Sequence, residues 1–219
     1  MPTAREALLD AAHAALTTRP WPSVRMVDVA AAAGVSRQTL YNEFGSKDGL
    51  ARALVLRAAD AYLSGVERAL GLSGVAGDRL AATAAWTVRA TRTDELVRGL
   101  LTGCWGERLP RPPRPARPPG SLVPAQRRAD AGPPTPAELL DQVRDRVVAA
   151  LGDGRRPPHD PAVLGDGRHS PHDPAALAAT CELVLRLALS YALVPAPAAG
   201  AESTPLVGYV VERAPDAVA

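Results

Sequence analysis

The fourteen residues GVSRQTLYNEFGSK, from Gly34 to Lys47, constrain the fold of this chain more than any other segment. Glycine tolerates the left-handed conformation that ends helices, and serine is a preferred residue at helix starts. The pattern therefore predicts a short helix that begins at Ser36 and ends at Gly45. Ser46 can then cap another helix, which begins at Lys47. The preceding RMVDVAAAAG predicts a second short helix that ends at Gly34.

Helical periodicity extends over most of the remaining chain. TAREALLDAAHAAL predicts a first helix, with Thr3 and Glu6 forming a capping box. The helix from Lys47 should continue to about Leu70, and GLSGVAG, from Gly71 to Gly77, resembles a linker. Four later segments have helical patterns: Asp78–Thr93, Asp94–Trp105, Pro136–Leu151 and Pro174–Val194. Alanine and leucine are strong helix formers, so the expected fold class is all-α.

Two long segments interrupt these helices. ERLPRPPRPARPPGSLVPAQRR, from Glu107, is dense in proline and carries six arginines, which predicts an extended, disordered, basic loop near 107–134. A tandem repeat follows near 152–174: GDGRRPPHDPA begins at Gly152 and GDGRHSPHDPA begins at Gly165. The repeat is too short and too polar for a solenoid unit. A local duplication within a surface loop explains it.

The repeat holds three of the four histidines. His159, His169 and His172 lie near Asp160 and Asp173, and such side chains can bind transition metals. Nothing in this Gly/Pro-rich sequence fixes their geometry, however, so we expect neither a metal site nor a cofactor.

Charge and apolar content limit where the chain can act. The net charge is +2, so an anionic partner must be bound by a local basic patch. Cys104 and Cys181 fit no metal spacing, and we expect buried thiols rather than a redox pair.

The first ten residues carry acids and lack the apolar core of a signal peptide. Arg186 interrupts the most apolar helix, so we expect a soluble cytoplasmic protein without a membrane partner.

The helix from Ser36 has two chemically distinct sides. At about 100° per residue, Leu40 and Phe44 share one side, and Gln38 and Asn42 point almost the opposite way. Arg37 leaves the first turn, and Thr39 and Tyr41 flank the polar side. This arrangement favours a helix that packs with one side and leaves the other free.

The free side carries groups that recognise nucleic acid. Gln pairs with adenine edges, Arg with guanine, and the Thr methyl can contact thymine. Tyr and Asn more often bind phosphate oxygens. Lys47 adds charge at a helix start, where backbone N–H groups already favour phosphate. The alternative for each residue taken alone is an ordinary solvated side chain.

The two short helices have the layout of a helix-turn-helix motif, joined at AAGVS by a turn that contains glycine. Ala30, Ala31 and Ala33 permit a close helix crossing. The stretch DVAAAAGVSRQTLYNEFGSKDGL, from Asp28 to Leu50, resembles the DNA-binding signature of the TetR family of bacterial transcriptional repressors. The resemblance covers roughly residues 4–65. It implies a helix-turn-helix domain in residues 1–46, a connecting helix in 47–70, and an effector-binding and dimerisation domain in 71–219.

The resemblance also implies DNA contacts. Arg37, Gln38 and Thr39 would face bases, and Tyr41, Asn42 and Lys47 would face phosphates, with Ser36 and Arg25 completing the DNA-binding set. Many family members have Thr or Ser where this chain has Arg25, followed by Met26. Either Ser23 caps the second helix instead, or Arg25 itself contacts the phosphate.

The remaining implied sites are in the larger domain. A homodimer that binds a palindromic operator would pair through the last two helices. The predicted interface residues are Leu140, Val147, Leu177, Cys181, Val184, Leu185 and Ala188, which could equally be core. The predicted effector pocket is lined by Trp86, Leu101, Cys104, Trp105 and Tyr191. Arg186 is expected to pair with Glu182.

Two other functions compete with a ligand-released, nucleoid-associated repressor. An enzyme is disfavoured because the sequence lacks a G-x-S-x-G elbow, a phosphate-binding G-x-x-x-x-G-K-[ST] loop and an H-E-x-x-H motif. An architectural DNA-binding protein without an effector would be favoured if the larger domain had no cavity.

Overall fold

The computed structural model describes residues 3–72, 74–111, 132–152 and 174–194. Within these ranges the chain is helical and contains no strand, which confirms the all-α class. The tandem repeat beyond Gly152, with its histidines, lies outside the described residues. So does the proline-rich segment beyond Arg111.

The described residues form eight α-helices. Their bounds are α1 Ala4–Thr18, α2 Met26–Ala32, α3 Arg37–Phe44, α4 Lys47–Leu70, α5 Ala76–Thr93, α6 Glu95–Thr102, α7 Pro136–Gly152 and α8 Pro174–Leu193. A short 3-10 turn, Trp21–Ser23, connects α1 to α2.

Side-chain caps fix the helix starts that the sequence predicts. Thr3 Oγ1 accepts the Glu6 N–H at 3.2 Å, and Glu6 Oε2 accepts the Thr3 N–H at 2.6 Å, which completes the predicted capping box. Ser36 Oγ accepts the Thr39 N–H at 3.0 Å at the start of α3. Ser46 Oγ accepts the Gly49 N–H at 3.0 Å at the start of α4.

Glycines end α2 and α3 as predicted. Gly34 has φ 68°, and beyond it the Val35 N–H donates to the Ala30 carbonyl at 3.0 Å. The Gly34 N–H donates to the Ala31 carbonyl at 3.1 Å, which completes a Schellman motif. Gly45 has φ 70° and ends α3. The helix-turn-helix corner is therefore set by local chemistry.

The helix α6 is shorter than the sequence predicts. The expectation was a helix up to Trp105, but α6 ends at Thr102 because Gly103 takes φ 74°. Trp105 then folds back on α6, where a Cβ added to Gly99 would lie 3.0 Å from its ring. The Trp105 indole thus packs against the backbone of α6 at Gly99, which has no side chain.

The described residues fall into two compact units, whose division differs from the predicted domains. The first takes residues up to Ala61 together with residues from Glu95 up to Pro136. The second takes Tyr62–Asp94 and residues from Ala137 onward. The sequence predicts a single domain for residues 71–219. The segment that follows α6 is bonded to the turn between α1 and α2, a contact that the sequence does not indicate. The Trp21 N–H donates to the Arg108 carbonyl at 2.7 Å.

In the first unit, α1, α2 and α3 pack against one another around Leu8, Val29 and Leu40, which are at most 1% exposed. The Arg57 guanidinium on α4 donates to Asp10 at 2.5 Å and to the Leu9 carbonyl at 2.8 Å. These contacts join α4 to α1, the helix on which α2 and α3 pack.

In the second unit, α5 packs along α8 and carries a buried row of hydroxyls at Thr83, Thr87 and Thr91. Each hydroxyl donates to the carbonyl four residues earlier. The Thr87 hydroxyl also bonds with the buried Tyr62 hydroxyl at 3.0 Å. Burial raises the pKa of Tyr62 to about 12.

Most of the predicted dimer-interface residues are buried within the single chain. Six of the seven form the core of the second unit: Val147, Leu177, Cys181, Val184, Leu185 and Ala188. Only Leu140 is half-buried. Sequence periodicity marks these positions as apolar but does not distinguish packing within a chain from packing between chains.

The helix α8 also exposes some of its leucines, Leu183 and Leu193. Within the described part of the chain it is the one helix long and apolar enough to cross a membrane, and a third of that window is buried. The core helix of a globular protein meets the same test. The predicted pair on this helix forms, with Arg186 Nη2 and Glu182 Oε1 2.7 Å apart.

Candidate nucleic-acid interface

The helix α3 packs with one side and exposes the other. Leu40 is fully buried and Phe44 is 9% exposed, so this side belongs to the core. Arg37, Gln38 and Asn42 are exposed, and Tyr41 is 41% exposed. The predicted division of the helix into a packing side and a polar side therefore agrees with the burial pattern.

Hydrogen bonds within α3 hold the polar side in a defined conformation. The Gln38 side-chain amide donates to Asn42 Oδ1 at 2.8 Å, and this pair lies one turn apart. At the start of the helix, the hydroxyls of Ser36 and Thr39 lie 2.9 Å apart. Thr39 is half-buried, and Ser36 is committed to capping. Gln38 and Asn42 consequently offer paired amides for contact with a partner.

Arg5 fixes the C-terminal end of α3, a contact that the sequence does not predict. Its guanidinium donates to the Glu43 carbonyl at 3.2 Å and lies 4.7 Å from the centre of the Phe44 ring. A cation at a helix C-terminus is favoured by the helix dipole. Because 38 residues separate Arg5 from Glu43, no local pattern could indicate this contact.

The start of α2 is organised by an ion-pair cluster around Asp28. Arg25 donates to its two carboxylate oxygens at 3.0 and 2.9 Å, and Arg19 donates at 3.2 Å. The hydrogen bonds from Arg25 are the main cause that lowers the pKa of Asp28. The alternative that Ser23 caps α2 is wrong, because Arg25 occupies the N-cap position and no side chain caps the helix.

Arg25 is nevertheless available to a partner. Its side chain is 72% exposed, although its guanidinium is forked onto Asp28. The contact orients the arginine beside the first turn of α2, where free backbone N–H groups favour an anion.

Lys47 is anchored rather than extended into solvent. Its ammonium donates to the Pro22 carbonyl at 3.0 Å and lies 5.3 Å from the centre of the Trp21 ring. This half-burial lowers the pKa of Lys47. An ammonium carries three N–H donors, so the bond to Pro22 leaves donors for a phosphate oxygen.

The predicted effector-pocket residues do not gather in one described cavity. Leu101 is buried, Cys104 is exposed and Trp105 is half-buried, all three in the first unit. Trp86 and Tyr191 are half-buried in the second unit. Two depressions of the described surface contain none of them: a groove between α1 and α2, and one of about 90 Å³ between α7 and α8.

The structure gives hydrogen bonds for two of these residues. The Trp86 indole N–H donates to the Tyr62 carbonyl at 3.0 Å, and Arg68 and Arg89 lie over its ring. The Tyr191 carbonyl accepts a hydrogen bond from Arg92 at 2.8 Å. The expectation of two buried thiols is half correct, because Cys181 is buried and Cys104 is exposed.

Comparisons with known proteins identify similar sequences. Residues 8–54 match the family model for bacterial regulatory proteins of the tetR family. A segment of 66 residues is 50% identical to the HTH-type transcriptional regulator AlkX of Mycobacterium tuberculosis (strain ATCC 25618 / H37Rv). That alignment covers 30% of this chain, and it spans about a third (31%) of the relative's length.

Solved structures share the fold over nearly the whole chain. The TetR family repressor AlkX from Dietzia sp. strain DQ12-45-1b, implicated in biodegradation of n-alkanes, is 22% identical with a TM-score of 0.51, covering 96% of this chain and 93% of that one. The regulator FadR from Bacillus subtilis, in complex with stearoyl-CoA, is 14% identical with a TM-score of 0.51, covering 97% and 98%. The predicted resemblance to the TetR family is confirmed for residues 8–54, and the solved structures show the same fold.

Proposed function

We propose that this protein is a transcriptional regulator that binds palindromic operator DNA as a homodimer. Its segment similar to the TetR family and its helical fold, shared with solved TetR-type regulators, support this proposal. The protein acts as a repressor, and a small-molecule effector releases it from the operator. Gene regulation rather than catalysis is also the role named for the relatives.

The exposed side of α3 carries this proposal. Gln38 and Asn42 project from a helix whose other side is locked into the core by Leu40 and Phe44. Gln or Asn amides bind adenine edges in the major groove, and Arg37 can bind guanine. Because α3 is capped at Ser36 and held by Arg5 at its end, these side chains are presented at fixed positions.

Dimer formation is supported by the outer side of α8. Leu183 is 49% exposed. The half-buried Leu187 lies one turn after it, about 40° away around the helix. An apolar stripe on the most apolar helix is suited to burial against a second copy. Two copies would place their α3 helices in successive major grooves about 34–36 Å apart.

Effector release is a shift between two conformations. One conformation binds the operator and the other does not. An effector that binds the second unit more tightly in the non-binding conformation lowers operator affinity, at most by the ratio of the effector's affinities for the two conformations. Coupling of about 1–3 kcal/mol changes operator affinity roughly 5- to 150-fold. Long-chain acyl-CoA esters and n-alkanes are the first compounds to test, since the FadR complex and the Dietzia repressor are associated with them.

Selection of bound DNA from a random pool tests the proposal. The wild-type chain should enrich an inverted repeat, and the complex should contain two protein copies per site. Added effector should dissociate this complex without unfolding the protein. Enrichment of no sequence, or of a single unrepeated half-site bound by one copy, would contradict the proposed function.

A further inference from the structure

The segment that follows α6 is attached to the connection between α1 and α2. The Trp21 N–H, in the turn Trp21–Ser23, donates to the Arg108 carbonyl at 2.7 Å. The Trp21 side chain is 8% exposed, so the turn is a packed part of the first unit. The chain around Arg108 therefore has a defined position on this unit.

The same turn adjoins two elements of the candidate interface. Lys47, at the start of α4, donates to the Pro22 carbonyl at 3.0 Å and lies over the Trp21 ring. Arg25, at the start of α2, follows the turn by two residues. The Trp21–Arg108 hydrogen bond thus places the segment after α6 beside both helix starts.

Two exposed arginines extend from this attachment point. Arg108 and Arg111 are both exposed, and Arg111 lies within about 11 Å of Arg108 even along a fully extended chain. The turn's flanking helix ends and the attached segment together carry five basic and three acidic residues: Arg19, Arg25, Lys47, Arg108 and Arg111 against Asp28, Asp48 and Glu107. Asp28 is itself bound by Arg25 and Arg19.

We propose that Arg108 and Arg111 form a second DNA-binding surface, which contacts the phosphate backbone flanking the bases that α3 faces. The partner is duplex DNA, and the contacts are ionic and independent of sequence. Guanidinium groups bind phosphate oxygens with paired N–H donors. The inference rests on the proposed function, and it assigns to the segment after α6 a role in operator affinity rather than in specificity.

The test is the salt dependence of DNA binding by the full chain with Arg108→Gln and Arg111→Gln combined. The affinity K falls as salt rises, and each lost phosphate contact should make the slope of log K against log salt shallower by about 0.9. When salt rises from 50 to 200 mM, the affinity of the wild type should consequently fall by a factor that is about three times larger, for each such contact, than the factor for the variant. The loss should be equal for the operator and a scrambled duplex, because phosphate contacts carry no sequence information.

Two matched variants control for structure and charge. Arg108→Lys with Arg111→Lys keeps both charges and should keep most of the slope. Arg98→Gln removes a half-buried arginine of the same unit that pairs with Glu95, and it should leave the slope unchanged. A circular dichroism spectrum and melting curve like those of the wild type would exclude unfolding.

The outcomes separate the two claims. A wild type that selects an inverted repeat, with a Gln variant of unchanged slope, would overturn the second surface and leave the proposed function intact. A Gln variant that loses affinity only for the operator would overturn it too, since that pattern indicates base contacts. A wild type that binds no duplex would overturn both claims.

Discussion

At the scale of residues, two neighbours on α3 have opposite environments. Leu40 is fully buried, while Gln38, two positions earlier, is exposed and bonded to Asn42. Helical spacing alone predicts this difference, because residues two apart lie about 200° apart around the axis. The partners of Lys47 and Arg25 could not be predicted in the same way. The Pro22 carbonyl is 25 residues from Lys47, and no local pattern specifies it.

The ion pairs of Asp28 should make folding stability dependent on pH. The pKa of Asp28 is lowered in the folded chain, mainly by the hydrogen bonds from Arg25, so its stabilising contribution is complete above its ordinary value of 3.8. It is lost as the pH falls through the lowered pKa. We expect Asp28→Asn to reduce the urea midpoint at pH 7, and the deficit to shrink as the pH falls below about 4.

Asp60→Asn, on the exposed side of α4, controls for the loss of one negative charge. It should lower the midpoint less than Asp28→Asn does at pH 7. An Asp28→Asn deficit of the same size at pH 7 and pH 3 would show that the carboxylate charge is not what stabilises the start of α2.

The two cysteines should differ in reactivity. Cys104 is exposed, whereas Cys181 is fully buried and its pKa is raised to about 12, chiefly by burial. Because the thiolate is the reactive form, a disulfide reagent at pH 8 should label one thiol in the native chain and two in denaturant. Cys104→Ser should abolish the native signal. Rapid native labelling of the Cys104→Ser chain would contradict the burial of Cys181.

At the scale of elements, helix starts and ends were predictable because their causes are local. Thr3, Ser36, Gly34 and Gly45 each act within a few residues of their own position. Packing between elements was not predictable in this way. The attachment of Arg108 to the α1–α2 turn connects residues 87 positions apart, and it takes the segment after α6 into the first unit.

The contact between α4 and α5 depends on a missing side chain. A Cβ at Gly65 would collide with the Trp86 indole, whose N–H is held by the Tyr62 carbonyl. Gly65→Ala should therefore destabilise the chain by about 1–3 kcal/mol, as overpacking does. Urea unfolding followed by tryptophan fluorescence would measure this effect. The exposed neighbour Ser64→Ala should cost much less.

A second variant isolates the cause. In a Trp86→Ala background the obstacle is removed, so Gly65→Ala should become nearly neutral. An undiminished cost there would mean that Gly65 is required for some property other than the space occupied by the indole.

At the scale of the whole molecule, the proposed dimer depends on the outer side of α8. The apolar pattern of α8 was evident from sequence, but its core side and its free side were assigned only by burial. Leu183→Glu places a charge in the proposed contact, where Leu183 is 49% exposed in the single chain. We expect a monomer by sedimentation at micromolar concentration, with operator affinity lost because one half-site binds weakly.

Leu72→Glu is the matched control, because Leu72 is 57% exposed and lies outside α8. It should leave the dimer intact. A Leu183→Glu chain that still sediments as a dimer would exclude this stripe as the interface.

The central claim is that the exposed side of α3 determines which DNA is bound. Its most direct test is parallel selection from a random pool by the wild type, Gln38→Ala and Lys47→Ala. Gln38→Ala should lose about 1–3 kcal/mol of preference at one symmetry-related pair of positions and keep the rest of the motif. Lys47→Ala should select the wild-type motif with uniformly weaker binding. If Gln38→Ala selected an unchanged motif with unchanged preference at every position, α3 would not contact bases through this residue, and the account would be contradicted.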